Sequence, residues 1–218
     1  MGGFDVNGRG TPSSGRGLPV GLTSTMTIVD DVEDGDISEY SSGNFLASSN
    51  NPIEGTYSIA PDTGAGSRIM WSGSGLDNYP ARGDTYSVLG QEDSNAQNLP
   101  EFLCYGEVGD GNFDGYGMGF FPSINEMRIR RYDNNNPIHL TSTSVSFQTN
   151  TVYECVMEST SSDLTFTIYE VDGSLARGSQ VDSISTSDST HSGTAVGIRN
   201  GTSADGTSDG CLDRMQIL

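Results

Sequence analysis

Lysine is absent from this chain. Its ten basic residues are all arginine, set against 19 Asp and 10 Glu, for a formal net charge of −19 over 218 residues. A duplex nucleic-acid partner is not expected, because phosphate contacts need a basic surface. Short, strongly hydrated carboxylates without lysine suit a protein that stays soluble in molar salt. There the Debye length falls to about 3 Å and self-repulsion is screened. Long apolar runs are also missing. No stretch approaches the roughly 20 residues that span a bilayer, and MGGFDVNGRG lacks the charged-then-apolar order of a secretory signal. If the protein works outside a cell, the expectation is another route of export, such as release within a virus particle.

Cysteine is scarce and odd in number. Cys104, Cys155 and Cys211 each lie in an apolar run, with no CxxC and no neighbouring histidine. This predicts buried free thiols rather than a disulfide framework or a zinc site. Convincing helical stripes are absent too. Instead apolar residues alternate with polar ones or glycine: Tyr116, Met118 and Phe120; Met127 and Ile129; Tyr153, Cys155 and Met157; Leu164, Phe166 and Ile168. Period two means strands with one face in and one face out. Dense turn signals (SSNNP, GDGN, NNNP, VDGS, RNGT) separate them. Many short strands predict an all-β antiparallel sandwich or jelly roll over 27–218. Residues 1–26, rich in Gly, Ser and Pro, read as an irregular N-terminal arm that is either floppy or ordered against a neighbouring subunit.

The motifs in order are IVDDVEDGDISEY, IEGTYSIA, DGYGMGF, RIRRYD, TVYECVMES, LTFTIYEVDGS, GTAVGIRNGTS and DGCLDRMQIL. Over 28–218 this series resembles the concanavalin A-like lectin/glucanase (LamG-like) jelly rolls of haloarchaea and their viruses. The resemblance implies two stacked antiparallel sheets with the first and last strands side by side. It also implies a glycan-binding, spike, turret or tail module, and a structural Ca²⁺ near the paired end strands.

In CLDRMQIL, alternation puts Asp213 on one face with Cys211, Met215 and Ile217. A buried unpaired carboxylate is costly, so Asp213 needs a cation, an arginine or backbone N–H donors. For the ion, the resemblance implies Glu33 (with Asp31 second to it), the Gly55 carbonyl and Asp213, all hard oxygen ligands. A second metal candidate is DGNFDG, with Asp110, Asn112 and Asp114 in the positions of a calcium loop; its twelfth position, which should be Glu, is Phe121. A plain hairpin turn reads equally well there.

For sugar binding, Trp71 and Tyr79 flank a Gly/Ser/Asn loop, with core packing as the alternative for Trp71. Arg128, Arg130 and Tyr132 share the outward face of one strand. They suit a sulfated or acidic glycan, or else cross-strand ion pairing. Glycosidase chemistry needs two positioned acids. The E-x-D-x-E pattern of the glucanase branch is absent, and Glu154 and Glu158 stand four apart. His139 and His191 are read as solvated histidines of polar loops, without a serine elbow. Arg82-Gly83-Asp84 is read as coincidence, and Asn200-Gly201-Thr202 as a glycosylation sequon that reads equally as a hairpin turn.

The expected function is therefore non-enzymatic: a virion surface component of a haloarchaeal virus, on head or tail, facing host glycans or S-layer. Its arm would hold copies of itself and other virion proteins. The alternative is a secreted, extracellular lectin-like protein or glycosidase of the host.

Overall fold

The computed structural model describes residues 26–41, 43–62, 68–91, 100–148, 150–200 and 211–218. The expected arm therefore lies outside the described residues except for Met26. Fourteen strands follow in order: β1 (Thr27–Asp30), β2 (Phe45–Ser48), β3 (Ser58–Pro61), β4 (Arg68–Ser72), β5 (Thr85–Gln91), β6 (Glu101–Gly109), β7 (Asn112–Phe121), β8 (Glu126–Asp133), β9 (Asn136–Ser144), β10 (Val152–Ser159), β11 (Asp163–Val171), β12 (Arg177–Ser187), β13 (Ala195–Asn200) and β14 (Leu212–Ile217). Among the described residues the only helical element is a 3-10 turn at Pro122–Ile124.

The strands form two antiparallel sheets. One runs β12-β11-β10-β5-β14-β3-β2, with β1 also paired to β14; the other runs β4-β13-β6-β7-β8-β9. The core lies between them. All the alternating residues named above fall in one buried cluster, with Tyr86, Val88, Phe102, Val196 and Ile198. The three cysteines are buried and none is in a disulfide. Burial pushes the Cys104 and Cys155 thiols well above their ordinary range, so neither is a nucleophile. The expected neighbouring of first and last strands is present: Thr27 faces Ile217 and Ile28 faces Gln216.

Two sequence expectations need correction. The first is the face of Asp213. Leu212 pairs with Gly90 and Asp213 with Leu89, but Gln216 pairs with Ser87. One extra residue is accommodated there, and Arg214 takes φ 37°. This is a β-bulge, which shifts the side-chain alternation by one. Leu212 and Met215 face the core. Asp213 instead points to the outer side of the eight-stranded sheet, where the loop of residues 53–58 covers it.

The second is DGNFDG. Gly109 pairs with Asn112, and Asp110 and Gly111 both have positive φ (52° and 77°). This is the two-residue turn that matches strand twist, not an ion-binding loop. Asn134 and Asn135 make the same kind of turn between β8 and β9, at φ 51° and 63°. Asn135 laces the two together: its Nδ2 donates to Asn112 Oδ1 (2.7 Å), and its Oδ1 accepts from the Phe113 amide (2.8 Å). Asp114 accepts from the Asn134 amide.

Candidate functional site

The outer face of the six-stranded sheet gathers three of the chain's ten arginines, Arg128, Arg130 and Arg199. Strand register sets two rows across it. In the first, Ile69, Arg199, Glu101, Gly119, Arg128 and Ser142 stand abreast; in the second, Trp71, Gly197, Leu103, Gly117, Arg130 and His139 do. Trp71 and Arg130 are four strands apart, or about 19 Å at a spacing of ~4.8 Å. The face carries three arginines against two acids, Glu101 and Glu126, in a chain of net charge −19.

Glu101 is the centre of this arrangement and is buried. Arg130 Nη1 donates to its Oε1 at 2.5 Å, Arg199 Nη1 lies 3.8 Å from the same oxygen, and the Tyr132 hydroxyl donates to Oε2. Burial, then the Glu101 charge, pushes the Tyr132 phenol far up, so it stays a donor. Arg128 pairs with Glu126 at 3.0 Å and lies 4.2 Å over the Phe121 ring. The β7 glycines make room for these rings: a Cβ on Gly117 would stand 2.8 Å from the Tyr132 ring, and one on Gly119 2.5 Å from that of Phe121.

Of the residues expected to meet a glycan, Arg128, Arg130 and Trp71 are brought to this one face. Trp71 packs on its apolar cluster of Leu103, Phe113, Tyr132 and Ala195. Tyr132 is on the face but fully buried, with its hydroxyl spent on Glu101, so it offers no surface to a ligand. Tyr79 is elsewhere. It packs against the main core and its hydroxyl closes the loop after β4, bonding Ser72 Oγ (2.7 Å) and accepting from the Leu76 amide (3.0 Å). Trp71 and Tyr79 thus lie on opposite sides of the sheet and form no joint platform. Sequence reasoning passed over Glu101 and Arg199. Their only mark was a charge at the outward phase of an apolar strand.

The expected calcium residues Glu33, Gly55 and Asp213 do line one cavity of about 340 Å³, with Asp31, Glu54 and Arg214. Glu33 lies in the loop after β1 rather than in the strand. Donors already meet both carboxylates. Asp213 Oδ2 accepts from the Glu54 amide (3.0 Å) and Ser58 Oγ (2.6 Å), and Oδ1 accepts from the Arg214 amide (2.7 Å). Both oxygens of Glu33 accept from the Thr56 amide, at 3.0 and 2.9 Å. Burial pushes the Asp213 carboxyl up to about 6, against the lowering by Ser58 and the two amides. Among the described residues no three acidic, histidine or cysteine side chains converge as an ion would require.

No family model and no curated protein sequence matches the chain. Solved structures do. One is the carbohydrate binding module CBM66 from Bacillus subtilis, 13% identical at a TM-score of 0.53, covering 82% of this chain and 91% of that one. Another is the VIP36 exoplasmic/lumenal domain in its Ca²⁺/Man3GlcNAc-bound form, 10% identical at a TM-score of 0.54, covering 83% and 85%. At such identities the likeness is one of fold, and the chain is a concanavalin A-like antiparallel jelly roll.

Proposed function

We propose that the protein is a non-enzymatic glycan-binding module that receives an acidic or sulfated glycan on the outer face of its six-stranded sheet. The observation that carries this reading is the row geometry. Arg128, Arg130 and Arg199 stand with Trp71 on one sheet face, in a chain otherwise dominated by acid. Arginine presents a planar fork to carboxylate or sulfate oxygens, and a tryptophan gives a pyranose an apolar surface. Two structures of the same fold are a carbohydrate binding module and a domain bound to Man3GlcNAc, which favours a saccharide over other anions.

Catalysis is not part of the reading. Burial alone would raise the Glu154 carboxyl, but hydrogen bonds from Arg177 and Ser87 hold it below its ordinary range. Glu101 is spent on Arg130 and Tyr132. Neither is free to serve as general acid. Nothing in this reading depends on calcium. The test is a glycan array carrying sulfated, uronic and neutral members, probed with wild type and Arg130→Ala. Binding of acidic members that the variant loses supports the reading; equal binding by both proteins, or by neither, sinks it.

At a finer grain the protein is read as a virion surface component of a haloarchaeal virus, with residues 1–26 as an assembly arm. Its support is compositional: no lysine, a large acid excess, and a Gly/Ser/Pro-rich N-terminus. The rival is a secreted lectin-like protein of the host. Mass spectrometry of purified virions decides, since absence of its peptides removes the viral reading.

A further inference from the structure

The opposite outer face, on the eight-stranded sheet, holds a groove that the reading above does not use. The loop between β11 and β12 folds back over this face. Arg177 clamps Glu154 through Nε and Nη2, both at 2.7 Å, and Arg214 Nη2 donates to the Leu175 carbonyl at 2.8 Å. Between this loop and Met26 and Leu218 lies a space of about 420 Å³, with Glu154, Arg214 and Gln216 also lining it. That is within the ordinary range of small-ligand sites, about 300–1,000 Å³.

Two polar atoms at this groove have no partner. Gln216 is 4% exposed, and its Oε1 accepts no hydrogen bond; Arg214 Nε donates none. A shielded polar group without a partner costs free energy, and its presence calls for a missing one. One unmet atom is an acceptor and the other a donor, and a hydroxyl satisfies either. Charge is already balanced, Glu154 by Arg177 and Arg214 by Glu54 at 3.5 Å, so nothing recruits an ion. Met26, Leu175 and Leu218 supply an apolar wall for C–H groups.

We propose that this groove binds one unit of a neutral saccharide, its hydroxyls meeting Gln216 Oε1 and Arg214 Nε. Entry moves the Arg214 head off the Leu175 carbonyl, so binding is coupled to the β11–β12 loop. The site is independent of the acidic-glycan face, and a protein with both presents saccharide sites on opposite sides of one sandwich.

The experiment titrates the full chain with the methyl glycosides of glucose, galactose and mannose, followed by amide NMR. One of them is expected to shift the Gln216 side-chain amide and the Leu175 and Ala176 backbone amides in a saturable way. Gln216→Leu should weaken that binding about tenfold, the scale of a lost hydrogen bond, while acidic-glycan binding at Arg130 persists. Should Gln216→Leu not fold, Ala176→Trp fills the groove from its exposed rim and should also abolish the shifts. The proposal is overturned if none of the three sugars perturbs these amides, if ordered water alone occupies the two atoms in a sugar-soaked crystal, or if a folded variant binds as wild type does.

Discussion

Asp213 sits among three donors, and its protonation is tied to the stability of the fold. Its carboxyl titrates near 6 in the folded protein against an ordinary value of 3.8. The folded state therefore holds the proton more tightly than the unfolded chain does. The stabilisation is fully present below about pH 4 and is lost as pH rises through about 6; a shift of this size is worth about 3 kcal/mol. Asp213→Ala leaves the Glu54 and Arg214 amides and the Ser58 hydroxyl unmet. The expected loss is about 2–4 kcal/mol, larger near pH 4.5 than near pH 7.5 because only the wild type gains from the proton. Denaturant unfolding at the two pH values measures this, and a larger loss at the higher pH refutes the assignment. EDTA should leave the wild-type melting temperature unchanged; a fall would place an ion among these oxygens. The need for partners at Asp213 was legible in the sequence, but for a reason that fails. Alternation pointed the side chain at the core, whereas a bulge turns it outward and a loop buries it.

Among the elements, β7 shows what a strand pattern discloses. Its inward residues Tyr116, Met118 and Phe120 announce a strand, and all three are fully buried. Its outward glycines read as mere spacing until the rings of Tyr132 and Phe121 are seen lying over Gly117 and Gly119. Gly119→Ala should push the Phe121 ring aside, loosen the Arg128 guanidinium from it, and destabilise the protein by about 1–3 kcal/mol, the usual range for overpacking. Thermal melts check the stability, and a variant as stable as wild type would mean the ring is free to move. The bulge at Arg214 was illegible for a different reason. Positive φ is marked in sequence when Gly or Asn takes it, as at Gly111 and Asn134, and an arginine carries no such sign. The pairing of Glu101 with Arg130 and Arg199 was hidden because it joins strands distant in sequence.

Among the described residues most cations stand in ion pairs within the fold. Arg128, Arg130, Arg131, Arg177, Arg199 and Arg214 each hold an acid in an ion pair. The surplus acids are left to face water and one another. Repulsion among them reaches about 10 Å at 0.1 M salt and about 3 Å at 1 M. The melting temperature should rise steeply with NaCl across that range, and a flat profile would refute salt adaptation. The acid surplus itself was plain from composition, since ten arginines cannot neutralise 29 carboxylates.

The pairing of β1 with β14 bears on how the chain reaches this state. Thr27 and Ile217 are about 190 residues apart in sequence and directly opposed in the sheet. β14 also joins β5 to β3, so residues 212–217 bridge strands formed far earlier. Contacts between such remote segments must pay the entropy of closing a long loop before they gain anything. During synthesis the larger sheet stays in two pieces, with β5 and β3 showing unpaired edges, until the final strand is threaded between them. A chain lacking residues 212–217 is therefore expected to be the species most exposed to aggregation, through the open edges of β5 and β3.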